Sequence, residues 1–233
     1  MSNDGTVLEL FVARHGESTR NVAFRAGISR DNFTVKENED PLLTETGFFQ
    51  ARLLGERLSA GELSAVFSSP LSRALSTADE IVKKQPSPLL IEIIPNLVET
   101  NIHPDFAPDG METLRRAFPR AKLYRDSPES DIKEIPVGER GAEHHLSRAK
   151  EVVDYFRSRF SCGEKIIAVA HGGFNTFLIA AALGFCSPLH FGFCQHNTSL
   201  SKIKFYPDGR CRVAFINDTS HLYEHDSKIA YNE

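Results

Sequence analysis

Two short, nearly all-apolar runs stand out along the chain: Val7-Leu-Glu-Leu-Phe-Val-Ala13 and Lys165-Ile-Ile-Ala-Val-Ala170. Such runs, without an alternating polar face, predict strands covered on both sides. Each stops abruptly at a histidine followed by glycine, Arg14-His15-Gly16 in the first case and His171-Gly172-Gly173 in the second. Between and after them the pattern alternates strand with helix. Residues 45–60 carry Gly47, Ala51, Leu54 and Leu58 on one helical stripe. Ser64-Ala-Val-Phe67 predicts a short strand, and Leu71, Ala74, Ala78 and Ile81 predict a helix with Ser69 as its N-cap and Pro70 at its first position. Leu89–Ile94 is a further strand closed by Pro95, residues 143–160 a helix with Leu146, Ala149, Val153, Phe156 and Phe160 inward, and Phe174–Leu183 another helix. Ser201–Tyr206 and Cys211–Ile216 flank Pro207-Asp208-Gly209 and predict a hairpin. The tail from Asp218 onward is polar and carries no pattern.

Residues 100–142 differ in texture. Prolines at 104, 108, 119, 128 and 136 among many charges leave periodicity only near 110–118. With too few apolar residues for a core of its own, this stretch reads as an insertion over the sheet. Its Arg115, Arg116, Arg120, Lys122 and Arg125 would roof a pocket or form a plain solvated basic surface. The alternation elsewhere implies an α/β three-layer sandwich: a mainly parallel central sheet, helices on both faces, and the insertion over the C-terminal strand ends. Residues 1–233 are read as a single domain with a substrate cap at about 100–142. Ligands bind beyond the carboxyl ends of the strands in such sheets, and both histidine motifs sit at those ends.

Composition narrows the partners. The 233 residues are 41% hydrophobic and 25% charged, as in an ordinary globular chain, and the net charge of −4 argues against nucleic acid. A small anion is still compatible, because a pocket can be cationic inside an acidic protein. Cys162, Cys186, Cys194 and Cys211 lack C-x-x-C spacing and read as buried reduced thiols. The opening MSNDGTVLEL has neither a basic region nor a long apolar one, and no apolar stretch suffices to span a bilayer. The expectation is therefore a cytoplasmic protein, with no membrane and no nucleic-acid partner.

A neutral imidazole is a good nucleophile toward phosphorus, provided fixed cationic donors spread the charge of the phosphoryl group. His15 has Arg14 beside it and a glycine after it, which allows close approach. Arg73 falls in the first turn of the helix that follows Pro70, where side chain and helix N-terminus can face one anion. His171 can donate from the opposite strand end. His103, His144 and His145 fit no standard metal spacing and are expected on exposed loop or helix positions. His196 lies before a strand and can reach toward a pocket mouth.

These residues carry a family resemblance. Phe11-Val-Ala-Arg-His-Gly-Glu-Ser18 with Asn21 resembles the opening signature of the histidine phosphatase superfamily, the phosphoglycerate mutase-like family. Pro41-Leu-Leu-Thr44 with Gly47, Gln50 and Ala51 follows in order, as do Phe67-Ser-Ser-Pro-Leu-Ser-Arg-Ala74 with Thr77 and Ala78, Leu97-Val-Glu99, and Ala168-Val-Ala-His-Gly-Gly173. The resemblance implies that His15 is the phosphorylated nucleophile and that Arg14, Arg73 and His171 bind phosphoryl oxygens. Asn21 would assist near the rim, and Gly172 would join the phosphoryl-binding residues. Glu99 would protonate the leaving oxygen and then take a proton from water, a role that needs a raised carboxyl pKa. Glu17 would orient its neighbours or help hold a charged pocket residue.

The family implication is a metal-independent phosphomonoesterase without cofactor, acting on a small phosphorylated substrate, with a homodimer as the oligomer to consider. Two departures leave the phosphoryl ligands in place: Ser76 where glutamine is usual, and Phe174-Asn175-Thr176 where an arginine often follows. The stretch after Glu99 lacks the tyrosine-glycine and basic pattern of a cofactor-dependent mutase, which favours hydrolysis over mutase action. A binding module without turnover is the remaining alternative.

Overall fold

A computed structural model describes residues 5–125, 132, 135–187, 190–223 and 225. Its strands are β1 (Leu8–Arg14), β2 (Ala65–Ser68), β3 (Ile91–Ile93), β4 (Ala121–Leu123), β5 (Glu164–Ala170), β6 (Leu200–Phe205) and β7 (Cys211–Asp218). The helices are α1 (Thr19–Arg25), α2 (Val35–Glu39), α3 (Glu45–Ser59), α4 (Ser72–Lys83), α5 (Met111–Ala117), α6 (Ala142–Arg159), α7 (Gly172–Ala182) and α8 (Ser220–Tyr223). The seven strands form one sheet in the order β4-β3-β2-β5-β1-β6-β7. The first five of that order run parallel, and β6 and β7 close the sheet as the antiparallel hairpin. The α/β class and the mainly parallel sheet therefore stand as read from the pattern.

The two apolar strands are central because they bury both faces. In β5, Ile166, Ala168 and Ala170 pack with Leu146, Ala149 and Phe156 of α6 and with Phe174 and Leu178 of α7. Ile167 and Val169 point the other way, onto Leu54 and Leu58 of α3 and Ala74, Ala78 and Ile81 of α4. The alternation follows from the two-residue period of a strand. Phe67, Phe156 and Phe174 are fully buried, and truncating such a residue to alanine costs about 3–5 kcal/mol.

Several details depart from expectation. Helix α4 begins at Ser72, and its cap position, Leu71, makes no side-chain cap bond. The Asp40 carboxylate supplies the anionic cap instead, accepting from Ser72 N at 2.7 Å and Ser72 Oγ at 2.8 Å. Ser69 Oγ accepts from Leu71 N at 3.3 Å, just before the helix, and also bonds His171 Nε2. Within 100–142, residues 121–123 extend the sheet as its edge strand beside β3, and α5 packs on the α3–α4 face through Met111 and Leu114. Ile102, Phe106 and Ile135 gather with Leu71 and Val98 into a small separate cluster. Residues 126–131 and 133–134 of that segment lie outside the described residues, as do 226–233 of the tail. The tail also places Leu222 of α8 against Leu53 of α3. Cys162, Cys186 and Cys194 are exposed and Cys211 half-buried, all four free, which corrects the expectation of buried thiols. They sit in loops or on the sheet edge, where no second layer covers them. Among the described residues no helix is long and apolar enough to cross a membrane.

Candidate active site

Parallel pairing of β1 with β5 sets the site. Arg14 is the register partner of Ala170, so the two chains leave the sheet side by side and their next residues are His15 and His171. The His15 amide donates to Ala170 O at 3.0 Å, and the two imidazoles lie 5.2 Å apart between centroids at 57°. Both rings are buried.

The neighbours of His15 decide its tautomer. Nδ1 lies 2.7 Å from the Gly16 carbonyl, which can only accept, so Nδ1 carries the proton. Nε2 receives the Nε–H of Arg73 at 3.2 Å, and a guanidinium can only donate, so Nε2 presents its lone pair. Burial first, then the charges of Arg73 and Arg14, holds the His15 pKa well below its usual value. The ring is thus neutral, with its free nitrogen defined.

Arg73 is fixed by α2, its Nη1 donating to Glu39 O at 2.7 Å. Arg14 donates through Nη1 to Gln195 O, and its buried Nε has no hydrogen-bond partner. Burial lowers both guanidinium pKa values, with Glu99 opposing the shift in each. The two desolvated cations repel each other, a repulsion that a bound anion would relieve. His171 bonds through Nε2 to Ser69 Oγ at 2.8 Å, while its Nδ1 is buried without a partner. Its pKa is likewise well below normal, by burial and then by Arg73 and His15.

Glu99 is brought to the same end of the sheet. Its Oε1 accepts from Thr100 N and Phe174 N, each at 2.8 Å, and its Oε2 from Gly173 N at 3.3 Å. It therefore seats on the amino end of α7, the helix that His171 opens. Asn21 completes the capping box of α1, its Oδ1 accepting from Ser18 N at 3.0 Å and from Asn197 Nδ2 at 3.3 Å. Asn197 also donates to His15 O at 3.1 Å, so Asn21 is tied to His15 through it. Gly172 lies against the Arg14 guanidinium, where a Cβ would meet Nε at 3.5 Å.

Several supporting residues carried no role from sequence alone. Gly16 N donates to Thr77 Oγ1 at 3.0 Å, and Glu17 N to Gln50 Oε1 at 2.8 Å. The carboxylate of Glu17 pairs with Arg25 and accepts from Thr44 Oγ1 at 2.7 Å, fixing the strand exit to α3. A Cβ on Gly47 would sit 2.0 Å from Glu17 O, so only glycine lets α3 approach this turn. Thr77, Gln50 and Gly47 were visible as motif positions and Ser69 as a motif position and helix cap; Asn197, Gln195 and Arg148 had no local signal.

Other readings change. Of the insertion's basic residues, Arg120 pairs with Asp79 and Lys122 with Glu92 beside the sheet edge, Arg116 pairs with Glu112 within α5, and Arg125 lies over the Tyr124 and Tyr155 rings. These are contacts of a solvated basic surface. His145 is buried rather than exposed, bonded through Nε2 to Asn101 Oδ1 at 3.3 Å and packed on Phe177, because α6 turns it inward. The His196 amide donates to Asn217 Oδ1 at 2.8 Å.

A model of the histidine phosphatase superfamily (branch 1) matches residues 10–219, nearly the whole described chain and every residue of the site. The chain belongs to that superfamily. This chain is 31% identical over 173 residues to a metal-independent phosphoserine phosphatase of Arabidopsis thaliana, spanning 73% of this chain and 66% of that protein. It is 25% identical to a probable phosphoglycerate mutase of Photorhabdus laumondii, over 97% of this chain and 99% of the relative. Among solved structures, a phosphoglycerate mutase of Bacillus anthracis superposes with a TM-score of 0.63 at 22% identity, covering 96% and 99% of the two chains. A phosphoserine phosphatase of Entamoeba histolytica does so at 0.61 and 20% identity, covering 92% and 99%. At those identities the superpositions establish a shared fold.

Proposed function

We propose that this histidine phosphatase is a metal-independent phosphomonoester hydrolase working through a phosphohistidine on His15. One observation carries the reading: His15 is held neutral with Nδ1–H on Gly16 O and its Nε2 lone pair aimed at the cationic cluster. Nε2 attacks phosphorus and the P–O bond to the leaving group breaks. Arg14, Arg73 and His171 take the phosphoryl oxygens. Glu99 gives its proton to the departing oxygen, and Oε2, with its single long contact, is the oxygen better able to hold it. Water then attacks the phosphohistidine, Glu99 recovers a proton, and His15 leaves neutral as phosphate forms. Such charge stabilisation by fixed donors is worth about 10²–10³ in rate per donor.

The test is His15→Ala together with capture of the intermediate. Labelled phosphate should appear on His15 after a brief reaction at neutral or alkaline pH, since the P–N bond is acid-labile, and the variant should lose both label and turnover. Turnover that survives in His15→Ala would end the proposal. Activity should persist in excess chelator; a strict need for a divalent ion would count against it.

A second reading, phosphoryl return to an acceptor alcohol, is favoured by the end-to-end similarity to a probable phosphoglycerate mutase. Incubation with 3-phosphoglycerate and a bisphosphoglycerate primer distinguishes the two, the hydrolase releasing phosphate and the mutase the positional isomer.

A further inference from the structure

Arg148 stands outside the phosphoryl-binding set, yet grips both halves of the seat of Glu99. It projects from α6 and is 3% exposed. Its Nη2 donates to Glu99 O at 3.2 Å and its Nη1 to Asn96 O at 3.4 Å, so it holds the short loop that delivers Glu99. Its guanidinium also lies 4.1 Å over the ring of Phe174, the residue whose amide binds Glu99 Oε1. One side chain thus locks the peptide of Glu99 and the helix end that receives its carboxyl group.

A buried arginine is a costly way to hold a loop. Two carbonyls and an aromatic face compensate a guanidinium poorly, and an apolar residue of similar length would fill the space at less expense. Among the described residues no carboxylate lies within ion-pair distance of Arg148, and its buried Nε has no hydrogen-bond partner. Burial pulls its pKa down to about 10, and the nearest opposing charge is Glu99. What the cation adds over an apolar residue is a fork that orients the Glu99 peptide and an attraction for its carboxylate.

We infer that Arg148 is a positioning residue for proton transfer, setting where Glu99 delivers its proton to the leaving oxygen. The inference rests on Glu99 being the proton donor of the proposed hydrolysis. Proton delivery matters when the leaving group is a poor one and hardly at all when it departs as a stable phenolate. Misplacing Glu99 should therefore discriminate between leaving groups, which a general loss of packing would not do.

The experiment compares kcat/KM for β-glycerophosphate and p-nitrophenyl phosphate, a ratio that reports the step in which the P–O bond breaks. Arg148→Met should lower it about 30-fold for β-glycerophosphate, within the range general acid catalysis supplies, and no more than about 3-fold for p-nitrophenyl phosphate. Arg148→Lys, which keeps charge but loses the fork and the stack, should fall between. Equal losses on both substrates, or none, would overturn the inference. If Arg148→Met does not fold by circular dichroism, the same ratio on Arg148→Lys decides. Glu99→Gln is the control: equal losses there would refute Glu99 as proton donor, separately from Arg148.

Discussion

The Nε–H of Arg73 points at the Nε2 lone pair of His15 across 3.2 Å. In the proposed hydrolysis, with His15 as nucleophile and Arg73 as phosphoryl ligand, a phosphorus atom attacked by Nε2 must take the place of that hydrogen bond. Arg73 then turns its donors to the phosphoryl oxygens, still anchored through Nη1 to Glu39 O. Arg73→Ala should lower kcat about 10²–10³-fold, the scale of one fixed oxyanion donor. Arg73→Lys should restore little of it, because a single ammonium lacks the fork that serves His15 and Glu39 together. Steady-state kinetics with p-nitrophenyl phosphate measure both, and near-wild-type kcat in either would contradict the geometry.

His15 and His171 should not titrate near neutrality. Burial and the adjacent arginines keep both pKa values well below the usual histidine value of about 6.5. Histidine ring NMR shifts followed from pH 8 to 5.5 should stay flat for these two residues. A midpoint near 6.5 for either would show that the pocket is more solvated than its burial implies.

The same shifts make stability pH-dependent with a definite sign. His145 and His221 are each held at about 4, by burial and then by Arg148 and Arg57 respectively, and His15 and His171 are also lowered. The unfolded chain therefore binds more protons than the folded one below about pH 6.5, and stability falls as pH drops through that window toward 4. Thermal melts at pH 7.5 and pH 5 should show a lower Tm at pH 5. His221→Gln should flatten the slope, unless its contacts to Thr198 and Arg57 matter more than its charge, in which case Tm falls equally at both pH values.

Gly47→Ala should be destabilising and should reduce activity with it. The new Cβ would stand 2.0 Å from Glu17 O, and backbone cannot yield as a flexible side chain does. Overpacking of this kind costs about 1–3 kcal/mol, and the displaced turn carries His15 and Gly16. Chemical denaturation and kcat should both move; an unchanged midpoint would mean that α3 can retreat freely.

Thr77→Val removes the hydroxyl that accepts from Gly16 N at 3.0 Å and leaves that buried amide unpaired. The expected loss is about 1–3 kcal/mol of stability at nearly constant side-chain volume. Thr77→Ser, which keeps the oxygen, should recover most of it, and denaturant midpoints for the pair test the assignment.

Much of this protein could be read directly from the order of its residues. The runs Val7–Ala13 and Lys165–Ala170 are apolar on both sides of the period, so burial in the middle of a parallel sheet was their stable solution. The interruption of each run by His-Gly marked the strand ends, and the pattern therefore placed His15 and His171 at the ligand-binding edge. Helices α3, α4 and α6 were legible from their stripes for the same reason: local periodicity records which face is buried.

What lay beyond the sequence depends on partners distant along the chain. Ser69 looked like a helix cap, but Asp40 caps that helix, and Ser69 keeps only Leu71 N while also bonding His171. The edge strand β4 has only three residues and no pattern until β3 lies beside it. Arg148 carried no signal, and His145 read as an exposed side chain, until the packing of α6 on the sheet buried both. Sequence by itself determined the fold class and the two histidine-bearing strand ends, because hydrophobic periodicity is a local property. The tautomer of His15, the seat of Glu99 and the cations around them were decided only by tertiary structure, because a hydrogen bond or a desolvated charge is defined by whatever the fold brings within a few ångströms.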